Sequence, residues 1–349
     1  MTLFRKNEYV PSFRLALVRG MGAVAILLFA SIFMQGCGVG DSTSSSEDVV
    51  FSVEVDGNID VYRIDTETSA SVRLTTSVGS DLYPAWSPNK KQIAFISDRN
   101  GVSALWLMDS MGESKRQVTD PVTDVVDFRW SPDSVRIAVE AIGGGVRSVS
   151  ILDTATDDLV LLTSPLEDVR VGDWSPDGEW VVYSVDEGAD SAIRRRNPTG
   201  VDEITLFGGA GVNPRWSSNG QWIAFNRVNK DGSVDLAIID KDGKNESLVA
   251  TGVNSEGAHD WSPDSKHLVY VSGGGSEAEI FVVGRAGEYT KQLTSNRVGD
   301  ATPLWSPDGT AILFISEGDG SFDVYRMEAD GGQQIRITTT DDLVIDADW

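Results

Sequence analysis

Only one cysteine and two histidines occur in the 349 residues, so the chain can build neither a disulfide framework nor a Cys/His zinc cluster. Positive charge is scarce too. Twenty-nine Lys plus Arg stand against 53 Asp plus Glu, a formal net charge of −24. That balance excludes most nucleic-acid binding, because a phosphate backbone needs a Lys/Arg surface to displace its counterions. It also implies repulsion from anionic lipid head groups. No sustained helical period appears, and the GxSxG signature of a serine hydrolase is absent. What remains is a chain with 40% hydrophobic residues, enough to bury the core of one large all-β domain or two ordinary ones.

The lone cysteine has a context of its own. Residues 1–36 carry Arg5, Lys6, Arg14 and Arg19 against one acid, Glu8, and include the apolar run MGAVAILLFASIF from Met21 to Phe33. The run is too short to span a bilayer comfortably and suits the h-region of a secretory signal. It is followed by Met34, Gln35, Gly36 and Cys37. A small residue directly before a single cysteine, directly after an h-region, resembles the lipobox of bacterial lipoproteins. It departs from that pattern at Met34, where leucine is usual. The resemblance implies cleavage before Cys37, acylation of its thiol and new amino terminus, and membrane attachment without a spanning helix. Residues 37–48, GVGDSTSSSED after the cysteine, read as a Gly/Ser/Asp-rich tether. The competing reading is an ordinary cleaved signal with an incidental cysteine.

From residue 49 to 349 the sequence repeats itself. Tryptophan followed by serine recurs at Trp86, Trp130, Trp174, Trp216, Trp261 and Trp305, and a seventh tryptophan is Trp349, with spacings of 44, 44, 42, 45, 44 and 44. Each Trp-Ser pair leads into a turn such as SPNKK, SPDGE or SSNGQ. Proline presets φ for the first corner, Asp or Asn takes the second, and glycine accepts the left-handed position. A β-type run follows each turn, as in IAFIS from Ile93 or ILFIS from Ile312, then a third strand, then a fourth that usually closes on Thr. Four strands in about 44 residues describe one propeller blade.

The ends interlock. Residues 49–75 supply second, third and fourth strands with no Trp strand before them, and Val344 to Trp349 supply only a Trp strand. The expected fold is therefore all-β: a seven-bladed propeller of four-stranded antiparallel blades, closed by the C-terminal strand entering the N-terminal blade. These motifs resemble the WD40-like repeat of TolB-type β-propellers, whose blades read PxWSPDGxxIAF, then an apolar Tyr-containing strand, then LT. That resemblance implies the fold and a periplasmic setting. TolB itself differs in having six blades, an α/β domain before them and no lipid.

Candidate sites come from acids and from breaks in the repeat. Asp81, Asp124, Asp168, Glu256 and Asp300 lie five or six residues before their Trp, where the chain would enter an innermost strand at one mouth of the channel, with Asp342 and Asp346 nearby in the closing blade. The blade of Trp216 offers Gly211 and Asn213 instead. Converging acids could receive a basic protein segment or hold a divalent cation; no other cofactor is expected. The alternative is loop capping by Asp side chains. In the third strand, one blade puts Arg196 where the other six keep an apolar residue, giving Arg194, Arg195 and Arg196 in a row, a contact candidate on so acidic a chain. Trp180 and Trp222 share one slot in consecutive blades and could stack a sugar or a partner side chain. The repeat tryptophans read as architecture.

No spacing singles out a catalytic pair, and His259 and His267 stand on either side of one turn. The function expected is a lipid-anchored, monomeric envelope propeller serving as a platform for a protein or peptide, with no nucleic-acid partner. Gly38 after the cysteine, where aspartate directs inner-membrane retention in enteric lipoproteins, points to the outer membrane, facing the periplasm. The competing classes are a polysaccharide lyase or glycosidase using channel carboxylates, and a non-catalytic glycan binder.

Overall fold

The computed structural model describes residues 48–349 apart from 67, 121–122, 189–190, 255–257, 319 and 339–341. Among the described residues no helix is long and apolar enough to cross a membrane. Cys37, the signal and residues 38–47 of the expected tether lie outside them, while Asp48, read from the sequence as the tether's last residue, opens the first strand.

Seven four-stranded antiparallel sheets form a ring. In blade 1 the C-terminal strand Leu343–Asp348 is innermost and pairs with Asp48–Val55, followed outward by Asn58–Asp65 and Ser71–Arg73. The one-plus-three closure read from the repeat is thus the observed one. The innermost strands of blades 2 to 7 are Asp81–Trp86, Asp124–Trp130, Val169–Trp174, Gly211–Trp216, His259–Trp261 and Asp300–Trp305. Each begins a blade whose strands follow outward in chain order.

The repeated residues have local jobs. In the turn after each Trp, the serine hydroxyl donates to the Asp or Asn two residues on and accepts the N–H five residues on. Ser175 does so with Asp177 at 2.5 Å and Trp180 at 2.9 Å, and Ser217 with Asn219 and Trp222. This side-chain clamp fixes the hairpin between first and second strands. The Thr closing a blade accepts a third-strand N–H left over by the short outer strand, as Thr75 does from Val61 and Thr119 from Leu105.

Each of the seven buried apolar clusters lies between two neighbouring blades. Blades are therefore not separate cores; each buries one face against the next. Tryptophan indoles stitch the same junctions. Trp130, Trp174, Trp261 and Trp349 donate Nε1–H to Ala85, Arg129, Arg215 and Leu304 carbonyls of the preceding blade, at 3.0 to 3.3 Å.

Candidate functional site

Strand alternation sends each repeat Trp into a blade junction, so the residue before it faces the axis. Going round the ring these are Asp348, Ala85, Arg129, Asp173, Arg215, Asp260 and Leu304. Bulges in the innermost strands of blades 2, 3, 4, 5 and 7 sharpen this aim, breaking register at Leu82/Ala85, Val125/Asp127, Val171/Asp173, Val212/Arg215 and Ala301/Leu304. At three of them a side-chain-bearing residue takes a left-handed φ: Tyr83 at 54°, Asn213 at 55° and Thr302 at 48°.

The resulting belt is charged on four consecutive blades. By area Asp173, Arg215 and Asp260 are half-buried, because the channel reaches them, yet protein surrounds them closely enough that desolvation dominates their titration. Burial pushes Asp260 and Asp348 up to about 6 and raises Asp173 as well. Arg215 is pulled down to about 10, first by burial and then by the like charge of Arg129. His259 is held down to about 3 by burial and by Arg215, which keeps it neutral.

The acids of this belt have a structural task. Asp348, Asp173 and Asp260 each accept the backbone N–H of the next blade's Trp, namely Trp86 at 2.8 Å, Trp216 at 3.1 Å and Trp305 at 2.9 Å. Of the arginines, Arg129 pairs with Asp127 of its own strand and donates to the Phe128 carbonyl at 2.6 Å, whereas Arg215 reaches only the Gly172 carbonyl at 3.5 Å. The fold itself accepts Ala85 and Leu304 at the same position, so it does not demand cations there.

The acids predicted at the mouth divide into two kinds. Asp81, Asp124 and Asp300 do open innermost strands, and Asp168 stands one residue ahead of one. Asp81 and Asp300 are wholly buried. Asp81 accepts from Arg99 at 2.8 Å and Ser77 at 2.8 Å, whereas Asp300 accepts from Asn296 at 2.9 Å and from Ser316. Asp81 is thus neutralised by an arginine, whereas Asp300 is buried among neutral donors. Asp124, Asp168 and Asp342 are half-buried, Asp168 accepting the Arg147 N–H at 3.0 Å, and Asp346 is buried. Glu256 lies outside the described residues.

The family model of the TolB beta propeller domain matches residues 42–212 and 209–349. The chain belongs to the TolB beta propeller family. Its sequence is 26% identical over 80 residues to the "Protein TolB homolog" of Chlorobium luteolum, a match covering 23% of this chain and 18% of that protein. The match thus spans under a fifth of the relative's length. Among solved structures it is similar to TolB from Acinetobacter baumannii, with a TM-score of 0.59, 20% identity, and coverage of 75% of this chain and 67% of that one. It is also similar to an oligogalacturonate lyase in complex with manganese, with a TM-score of 0.69, 14% identity, and coverage of 80% and 85%. At these identities both likenesses speak for the fold alone.

On this TolB-type propeller the arginine run is committed internally. Strand alternation sends Arg194 to Glu167 at 2.8 Å and Glu203 at 3.6 Å, and Arg196 to Glu203 at 3.3 Å. Arg195, on the other face, stacks over Trp180 at 4.2 Å and reaches Asp242 of blade 5 at 3.4 Å. Trp222 carries Arg285 of blade 6 at 4.7 Å. The structure therefore joins Trp180 to Arg195 and leaves Trp222 with a different cation. The same slot in blade 6, His267, lines an open groove of about 570 Å³ with Tyr289, Lys291 and Trp305.

Arg129, Asp173, Arg215, Asp260 and Asp348 were not singled out from the sequence. A signal was present: aligning the residue before each repeat Trp shows charge replacing Ala or Leu in five of seven blades.

Proposed function

We propose that this chain is a lipid-anchored envelope propeller whose channel receives an extended segment of a protein or peptide. The observation that carries the reading is the belt at Arg129, Asp173, Arg215 and Asp260, where charges of alternating sign, the last three of them desolvated, occupy a position that the fold fills elsewhere with Ala or Leu. Alternating fixed charges at close quarters favour a partner backbone and side chains that answer both signs. The net charge of −24 and the half-buried Asp124 and Asp168 at the mouth would steer a basic segment inward. Anchoring through Cys37 after removal of residues 1–36, with 37–47 as tether, would hold the propeller on the outer membrane, facing the periplasm.

Crosslinking and pull-down from native envelopes would supply the partner. Titration at two ionic strengths then tests the route. An Asp124→Asn/Asp168→Asn variant should bind with a flatter dependence of on-rate on salt. Arg129→Leu combined with Arg215→Leu should weaken binding at both ionic strengths. Unchanged affinity in the arginine variant would move the site out of the channel.

A further inference from the structure

The junction between blades 6 and 7 lacks the arginines found in blades 1 and 7; the third-strand acid of blade 5, Asp235, is held by Asn229 and the Gly252 N–H instead. In blade 1 the third strand carries Asp60, wholly buried, which accepts from Thr75 at 3.0 Å and pairs with Arg73 of the outer strand at 2.5 Å. Blade 7 repeats the set with Asp323, Thr338 and Arg336, the acid accepting from Thr338 at 2.8 Å and pairing with Arg336 at 2.9 Å. The register is the same in both: Arg73 lies opposite Tyr62, and Arg336 opposite Tyr325. Next to Asp60, at the entry to blade 2, Asp81 has its own cation in Arg99.

Blade 6 has both acids and neither arginine. Glu279 opens its third strand, and Thr294, closing the blade, accepts the Ile280 N–H at 2.9 Å through its hydroxyl oxygen, as in the other blades. The outer-strand residue opposite Phe281, where Arg73 and Arg336 stand, is Gln292. Asp300 opens blade 7 as Asp81 opens blade 2, with Ser316 where Ser97 stands, but the residue corresponding to Arg99 is Gly318. A Cβ at Gly318 would lie 2.3 Å from the Tyr325 hydroxyl, so a side chain there requires Tyr325 to shift. Two adjacent buried carboxyls are thus left without a basic partner. Asn296 serves both, donating its backbone N–H to Glu279 Oε1 at 3.0 Å and its side-chain amide to Asp300 at 2.9 Å. Glu279, 9% exposed, keeps a buried Oε2 with no hydrogen-bond donor.

We propose that a hard divalent cation of the Ca²⁺ type binds between Glu279 and Asp300, supplying the charge that arginine supplies at the equivalent junctions. A carboxylate stripped of water without a counter-charge is costly, and two side by side are costlier. Both are accordingly raised in pKa, with burial the leading cause in each. Oxygen ligands suit this ion class. Among the described residues no three His, Cys, Asp or Glu side chains form a metal-ligand group, so the rest of the shell falls to neutral oxygens such as the Thr294 and Ser316 hydroxyls, backbone carbonyls and water.

The test uses the intact chain, stripped with EDTA, then melted and titrated calorimetrically with CaCl₂ at pH 7.5. At calcium a hundredfold over its Kd, Tm should rise by about 3 to 6 °C. Glu279→Gln should lose that rise. Gln292→Arg, which restores the residue of blades 1 and 7, should melt near the calcium-loaded temperature without calcium and respond no further. A chain this acidic collects calcium weakly over its surface, and the Gln292→Arg variant separates that background from the site. No calcium response in the unmodified chain, or an equal response in Glu279→Gln and Gln292→Arg, would overturn the proposal. So would stabilisation by acidification alone, equal with and without calcium, because the carboxyl pair would then be sharing a proton.

Discussion

Deleting Val344 to Trp349 should cost far more than six terminal residues ordinarily would. Val344, Ala347 and Trp349 are buried at 2%, 7% and 6% exposure. They pack with Ala311, Leu313 and Ile315 of blade 7 as well as Val49 and Phe51 of blade 1. Losing a buried Trp costs about 3–5 kcal/mol and a buried Val about 1.5–3 kcal/mol, so roughly 5–8 kcal/mol disappears before the ladder is counted. The ladder runs from Val50 opposite Asp348 to Glu54 opposite Leu343, and without it the second strand becomes an unpaired edge. Removing Asp348 also strips the carboxylate that accepts Trp86 N–H, so blade 2 is loosened too. Against a total stability of about 5–15 kcal/mol the truncated ring should melt at least about 10 °C lower or lose cooperativity. Trp349→Ala should account for about half of that loss. Differential scanning calorimetry decides it; a truncated chain that melts within 2 °C or so of the intact one would refute closure by this strand.

Replacing Cys37 by Ser should abolish lipid labelling and release the chain from the membrane fraction, and retention of the unlabelled variant would sink the anchor. Glu140, raised to about 7 by burial and by Asp127, binds its proton more tightly in the folded chain than in the unfolded one. Its contribution is complete below the usual carboxylate pKa and lost as pH rises through about 7, so Glu140→Gln should flatten the fall in stability between pH 5 and 8; an unchanged slope in urea melts at several pH values would count against this. Asp81→Asn should destabilise by about 1–3 kcal/mol, because the half-buried Arg99 loses its counter-charge, while Asp124→Asn should stay within about 0.5 kcal/mol. Equal melting temperatures for the two would erase the distinction between buried and mouth acids.

The parts of this molecule legible in its sequence are those where a residue's task is completed within a few neighbours. Ser175 needs only Asp177 and Trp180 to clamp its turn, and Thr75 only Val61 across a hairpin, so the same letters return in blade after blade. Blade count and closure follow because that local grammar leaves one strand missing at the start and one spare at the end. Sites obey a different rule. Arg129, Asp173, Arg215 and Asp260 meet only when four blades are wrapped about an axis, and each stands about 44 residues from the next, beyond the reach of any local pattern. Burial is hidden for the same reason: Asp81 and Asp124 occupy neighbouring positions in the repeat, yet Arg99 closes over one and not the other. The arginine run was conspicuous because three like charges adjoin in sequence, but a strand sends neighbours to opposite faces, where Glu167, Glu203 and Asp242 already wait for them. The informative departures from a repeat are therefore the ones left without a partner once the ring is closed. By that criterion Arg215 in the channel, which forms no ion pair among the described residues, and the carboxyl pair Glu279 and Asp300 are where partner and ion are to be sought.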